Sequence, residues 1–262
     1  MIDGLKCILV FLIGLFVGSF LSVLIDRFPR DESVIGGRSH CDKCKRVLEW
    51  YDLIPLFSFI FLRGRCRYCH TPLSFYYPVV EMTTGVLFVA VLFFLGGFTI
   101  NVITIITIIY YLFIISSLIV VFFTDLKYGI IPDKIVFPAI IISFLYFILY
   151  PSSLILPHLL SGTGAFAFFL LLFFINSGKG MGFGDVKFVF MIGLILGFPN
   201  IAIAFYIAFL TGALWGGILI IWRRKRLLGT RIPFGPFLVV GTILALFFGE
   251  QIRQVTVGLL LL

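Results

Sequence analysis

The chain has 262 residues, of which 61% are hydrophobic and 12% charged, with a mean hydropathy of +1.18. Soluble domains carry about 25% charged residues, so this composition excludes an ordinary water-soluble fold, a disordered tail, a collagen-like chain and a disulfide-knotted scaffold. The net charge of +8, from 20 Lys+Arg and 12 Asp+Glu, would suggest phosphate contacts in a nucleic-acid binder, but in so apolar a chain it speaks first to membrane topology.

Charged residues divide the chain into uncharged runs at 7–25, 82–124, 135–178, 188–222 and 232–249. About 20 apolar residues span a bilayer. The first run holds one span. The second holds two, broken at Gly96-Gly97, and the third holds two, broken at Tyr150-Pro151-Ser152-Ser153. The fourth breaks at Gly197-Phe198-Pro199-Asn200 into a short helix of about a dozen residues and a full one. The last run extends past Glu250 as a final span. The backbone must satisfy itself in lipid, so these are helices rather than open strands. The expected fold is an all-α polytopic membrane protein with about eight transmembrane helices. Its regions are a first transmembrane helix at 1–25, a polar loop at 26–80 and a helical core at 81–262. Residues 1–25 read as a retained helix rather than a signal peptide, because Asp3 precedes the lone Lys6 and no A-x-A site follows. Gly14, Gly18, Ser19 and Ser22 share one face, which suits close helix packing.

Eighteen of the 20 cations fall on one side of this topology, and only Lys6 and Arg253 on the other. The positive-inside rule then places the polar loop in the cytoplasm and both termini outside.

The loop contains Cys41-Asp-Lys-Cys44 and Cys66-Arg-Tyr-Cys69, with 21 residues between the pairs. Each CxxC turn aims two sulfurs at one point, and two such turns complete the tetrahedron that zinc prefers. The spacing is one residue beyond the usual range of about 15–20. A redox or regulatory thiol pair is the alternative, since a reducing cytosol disfavours two disulfides. Plain loop cysteines are a third. Four thiolates leave zinc no open position, which points to a structural metal. His40 and His70 flank the pairs, and Cys7 is a small apolar residue in a span. Between the pairs, Leu53 to Leu62 is too short to cross the bilayer. It either lies at the interface with Trp50 and Tyr51 or packs beneath the cysteine cluster.

Six of the 12 carboxylates are loop charges and Asp3 and Glu250 fall on the outer side, but Glu81, Asp125, Asp133 and Asp185 stand at membrane edges. An ionisable group there is a functional candidate by default. Asp125 ends a long uncharged run, and Asp185 ends Gly180-Met-Gly-Phe-Gly-Asp at the start of the short helix. The ordinary readings are a helix-end charge paired with Lys127 for the first and an N-cap for the second. Gly180, Gly182 and Gly184 let the backbone approach another helix or an extended peptide. The aspartates are 60 residues apart, so only tertiary packing brings them together. At about 4 Å and an effective dielectric near 20, two full charges repel by about 4 kcal/mol. Such a pair shares a proton, one carboxylate activating water and the other polarising a carbonyl.

These motifs, with Gly18-Ser-Phe-Leu-Ser-Val23, Arg38-Ser-His-Cys-Asp-Lys-Cys44, Trp50-Tyr-Asp-Leu-Ile-Pro55, Leu62-Arg-Gly-Arg-Cys-Arg-Tyr-Cys69, Tyr77-Pro-Val-Val-Glu81, Ile131-Pro-Asp133, Gly182-Phe-Gly-Asp-Val-Lys187 and Ile232-Pro-Phe-Gly-Pro-Phe237, resemble the type IV prepilin peptidase family over nearly the whole chain. Ser22 stands where that family usually has Asn, a departure that bears on helix packing more than on catalysis. The resemblance implies a bifunctional enzyme of the bacterial inner membrane. It implies that Asp125 and Asp185 are the catalytic pair, the latter in a GxGD motif with Gly182 and Gly184, and that Asp133 and Lys187 are supporting motif residues. It implies prepilin or pseudopilin substrates, cleaved after a basic leader. It also implies methylation of the new N-terminus with S-adenosylmethionine as donor, for which Gly64 and Glu81 are the candidate region. The expected metal is Zn2+ on Cys41, Cys44, Cys66 and Cys69. The expected partners are substrate and lipid bilayer, with no nucleic acid. The rival readings are another GxGD intramembrane protease, disfavoured by the paired CxxC loop, and a transporter or metal sensor, disfavoured by the absence of a sequence repeat.

Overall fold

The computed structural model describes residues 2–34, 36–95, 101–149, 155–175, 181–223 and 233–260. The helices are α1 (Ile2–Arg27), α2 (Phe57–Phe61), α3 (Tyr76–Phe94), α4 (Val102–Tyr128), α5 (Asp133–Leu149), α6 (Ile155–Ile175), α7 (Phe183–Leu196), α8 (Asn200–Arg223) and α9 (Gly235–Leu260). Among the described residues the extended pairing is limited to two isolated bridges. The expected breaks at Gly96-Gly97 and Tyr150-Pro151-Ser152-Ser153 lie outside the described residues. So do Gly180, Ile232 and the cations Lys179, Arg224, Lys225, Arg226 and Arg231. The break at Gly197–Asn200 is present, with α7 ending at Leu196 and α8 starting at Asn200.

Among the described residues, six helices are long and apolar enough to cross a membrane, within α1, α3, α4, α6, α8 and α9. This is an integral membrane protein. The expected count of eight is not reached by length: α5 has 17 residues and α7 has 14. At 1.5 Å per residue, α7 is about 21 Å long, against a hydrocarbon core of about 30 Å.

The chain divides into two compact units, Met1–Val120 and Val121–Leu262. In the first, α1 packs on α3. Lipid tails are as apolar as leucine, so helix association there relies on close contact rather than on escape from water. Small residues supply it. A Cβ on Gly14 would stand 2.6 Å from the Gly85 Cα, and one on Gly18 would stand 2.7 Å from the Glu81 Cα. The expected small-residue face of α1 is thus its contact with α3.

In the second unit α7 is the central helix, packed against α5, α6, α8 and α9. Ten of its 14 residues are buried, so it has no lipid-facing stripe. It meets α6 where a Cβ on Gly193 would come within 2.6 Å of the Gly162 Cα. Its C-terminal end turns at Gly197, with φ +65°. There the His158 ring of α6 lies 2.9 Å from the Leu194 carbonyl oxygen, one of the carbonyls that a helix end leaves without an internal partner.

Candidate functional site

The short helix α7 opens at Gly182 as its N-cap, and Asp185 is the third helical residue. Asp185 is therefore not the N-cap itself. Its carboxylate turns back to accept the Gly182 N–H at 3.1 Å, while its own N–H donates to the Gly182 carbonyl at 3.1 Å. Helix N-termini favour a carboxylate in this place, through both orphan N–H groups and the helix dipole. Gly184 has a separate reason to lack a side chain: a Cβ there would stand 3.2 Å from the Ile131 Cβ.

Asp125 occupies the last turn of α4. Its Oδ2 accepts the Gly235 N–H at 2.9 Å, from the first residue of α9. A Cβ on Gly235 would fall 2.5 Å from that oxygen. Asp125 is only 6% exposed and Asp185 only 8%. The charge of Asp125 is felt at Asp185, so packing within the second unit puts the two carboxylates in one neighbourhood.

Around them, Lys187 forms an ion pair with Asp133, the first residue of α5. Its ammonium also lies 5.6 Å from the Phe137 ring centre and 5.5 Å from that of Phe183, within the range of a cation–π contact. Asp133, Lys187, Gly182 and Gly184 thus lie in or against the segment that presents Asp185. The Gly235 contact was not legible in the sequence, because nothing local links Asp125 to a glycine 110 residues away. The only signal was that Gly235 lies in a motif with no assigned role.

In the first unit, the Sγ atoms of Cys41, Cys44, Cys66 and Cys69 lie within 4.8 Å of one another. Cys41 Sγ and Cys69 Sγ are 3.8 Å apart. Thiolates about 2.3 Å from a tetrahedral zinc would be separated by about 3.8 Å, so the donor set fits that ion. His40 and His70 are not members of the cluster. The two CxxC turns repeat one geometry at an offset of 25 residues. Cys41 N–H donates to Arg46 O at 3.0 Å and Cys66 N–H to Thr71 O at 2.9 Å. Leu48 N–H reaches Ser39 O at 2.8 Å, and Leu73 N–H reaches Gly64 O at 2.7 Å. Lys45 and His70 both take positive φ, at 57° and 54°. Asp52 braces the second turn, accepting from Arg67 Nε at 2.6 Å and from the Tyr68 hydroxyl at 3.4 Å.

Gly64 and Glu81 have separate partners. Gly64 has φ +66°, and a Cβ there would stand 3.1 Å from the Phe59 ring. Glu81 is buried in α3, where its Oε2 accepts the Leu56 N–H at 2.9 Å and the Ser19 side chain adds a further hydrogen bond. Leu56 sits at φ 60°, ψ −48°. The Phe57 N–H donates to Pro55 O at 2.6 Å, which closes a γ-turn, a rare and strained form at positive φ.

Residues 12–95 match the bacterial Peptidase A24 N-terminal domain, and residues 112–217 match the type IV leader peptidase family. A prepilin leader peptidase/N-methyltransferase of Bacillus subtilis is 35% identical, with 93% of this chain and 95% of that protein covered. Proteins of the same name from Aeromonas hydrophila and Legionella pneumophila are each 32% identical, covering 94% of this chain and 92% and 93% of their own lengths. No solved structure matches. Two successive domains matched in order, with relatives aligned over almost their full length, establish that the chain belongs to the type IV leader peptidase family.

Proposed function

We propose that this protein removes the leader from prepilin-like substrates with Asp125 and Asp185 as the acid–base pair, and methylates the N-terminus so released. The carrying observation is the approach of two buried carboxylates from α4 and α7. The names of the full-length relatives support both activities. One carboxylate takes a proton from water as the water oxygen bonds to the scissile carbonyl carbon. The other, protonated, gives its proton to the carbonyl oxygen. Collapse of the tetrahedral intermediate breaks the C–N bond, and the amine leaves with a proton. Lys187 and Asp133 hold the start of α7 in place, Gly184 lets Ile131 pack closely against it, and Gly182 gives the extended substrate room beside it.

With α5 and α7 counted as embedded helices, the eight-helix reading puts the polar loop in the cytoplasm and both termini outside. The membrane is then the bacterial inner membrane. Residues 1–25, 26–80 and 81–262 serve as anchor helix, metal-binding loop and peptidase core. Zinc on the four cysteines is structural, and the loop around Gly64 and Glu81 is the region for the methyl donor, S-adenosylmethionine by the family resemblance. These two residues alone do not form its cradle. The Glu81 carboxylate is taken up by Leu56 and Ser19, and the space beside Gly64 is occupied by Phe59. Methyl transfer therefore needs groups beyond this pair.

The test is Asp125→Asn and Asp185→Asn, each purified in detergent with zinc content measured. Both should insert, retain zinc and lose leader cleavage on a prepilin-like substrate followed by mass spectrometry. Wild-type cleavage in either variant would sink the assignment.

A further inference from the structure

The loop of the first unit carries an apolar face turned outward. On α2, Phe57 is 54% exposed, Ile60 69% and Phe61 82%. Their spacing of three and four residues puts them on one side of the helix. Phe59 points elsewhere, packing edge-on against Phe75 with ring centres 5.7 Å apart. Trp50, just before α2, is 73% exposed. A short helix in water does not leave its aromatic side uncovered without an occupant.

The depth of α2 is set by Glu81. The helix α3 has 19 residues, about 28 Å of length, so nearly all of it is needed to cross a core of about 30 Å. Glu81 is the sixth residue of that helix, about 8 Å in from its start. The hydrogen bond from Leu56 N–H to Glu81 therefore holds the beginning of α2 at the level of the outermost acyl carbons.

Charge identifies the headgroup above it. Arg67 is paired with Asp52, Arg38 with Glu49, and Arg46 is stacked on Tyr68. Arg63 and Arg65 directly follow α2 and are exposed, and among the described residues neither has an ion pair. Arginine stems lie along apolar surface while their heads reach the phosphate band, and basic groups there favour anionic lipid.

We propose that α2 is a membrane-docking helix: Phe57, Ile60 and Phe61 insert among the upper acyl chains of the leaflet that α3 enters, and Arg63 and Arg65 bind anionic phospholipid headgroups. The attachment of Leu56 to the spanning helix α3 and the uncompensated arginines favour lipid over a protein partner. This docking presupposes that α1 and α3 span the membrane, and the test separates the two ideas.

Full-length, zinc-loaded protein is placed in nanodiscs of phosphatidylcholine, alone or mixed with phosphatidylglycerol, with bromine on the upper acyl chain. Phe61→Trp adds a reporter, and Ile60→Trp is a second on the same face in case the first fails to accumulate. Trp215, exposed on the spanning helix α8, lies in the wild-type baseline. The added emission should be blue-shifted and mostly quenched, more strongly with phosphatidylglycerol. Arg63→Gln with Arg65→Gln should remove the difference between the two lipids. An added tryptophan that emits as in water, unquenched, while the wild-type baseline is quenched, would overturn α2 docking and leave the membrane reading intact. A tryptophan shielded from water yet unquenched would assign the face to protein and overturn it as well. Equal quenching in both lipids would overturn the headgroup assignment.

Discussion

Gly235 is the glycine on which the setting of Asp125 depends. Its N–H is the donor on Asp125, and its missing side chain lets that donor reach the carboxylate. Gly235→Ala keeps the N–H but puts a methyl 2.5 Å from Oδ2, closer than real contacts allow. The α9 start or the aspartate must move. A misplacement of about 1 Å at a reacting group costs on the order of 100-fold in rate. Leader cleavage by Gly235→Ala should fall by about that factor, measured as kcat/KM on a prepilin-like peptide in detergent, with α-helix content unchanged. Asp125 and Asp185 were legible in the sequence because a carboxylate is conspicuous in an apolar chain. Gly235 was not, since a glycine among 26 carries no sign of which distant oxygen it must approach.

At the scale of elements, the four-cysteine cluster holds two similar turns together and the γ-turn at Leu56 fastens the chain between them to α3. The loop has little apolar core, so a metal supplying about 10–16 kcal/mol of apparent binding energy would dominate its stability. Removing zinc with a strong chelator, or replacing Cys41 and Cys66 by Ser, should abolish bound zinc and open residues 38–73 to limited proteolysis. Fragments read by mass spectrometry locate the cuts. One zinc per chain persisting in the double variant would refute the four-cysteine site. The CxxC spacing announced this element. The matching backbone of the two turns is not legible there, because Lys45 and His70 share a left-handed conformation and no chemical feature. The segment from Leu53 to Leu62 was readable as too short to span, but its fastening to Glu81 depends on a turn that no residue preference foretells.

At the scale of the molecule, the aspartates constrain the topology. Asp125 ends α4, Asp185 begins α7, and the two carboxylates interact. They therefore stand at the same membrane face, and the chain between them must cross an even number of times. Under the proposed eight-helix topology α5 spans together with α6, although its 17 residues fall at the short limit. Met181→Cys should accordingly be labelled by an impermeant maleimide from the cytoplasmic side, with labelling compared to the unmodified protein in oriented vesicles. Labelling from the outside would put Asp185 on the outer face and overturn cleavage at the cytoplasmic side. Hydropathy made the long helices plain. It marked α7 as a short helix but counted α5 as a full span, because an uncharged run does not show where a helix ends.

The shortness of α7 bears on how hydrolysis proceeds in a lipid environment. A rod about 9 Å shorter than the slab around it cannot have both ends at the surface. Packed against α5, α6, α8 and α9, it is shielded from acyl chains by protein. Under the proposed peptidase reading, a helix too short to fill the slab lets Asp185 meet the scissile bond with protein rather than acyl chains around it.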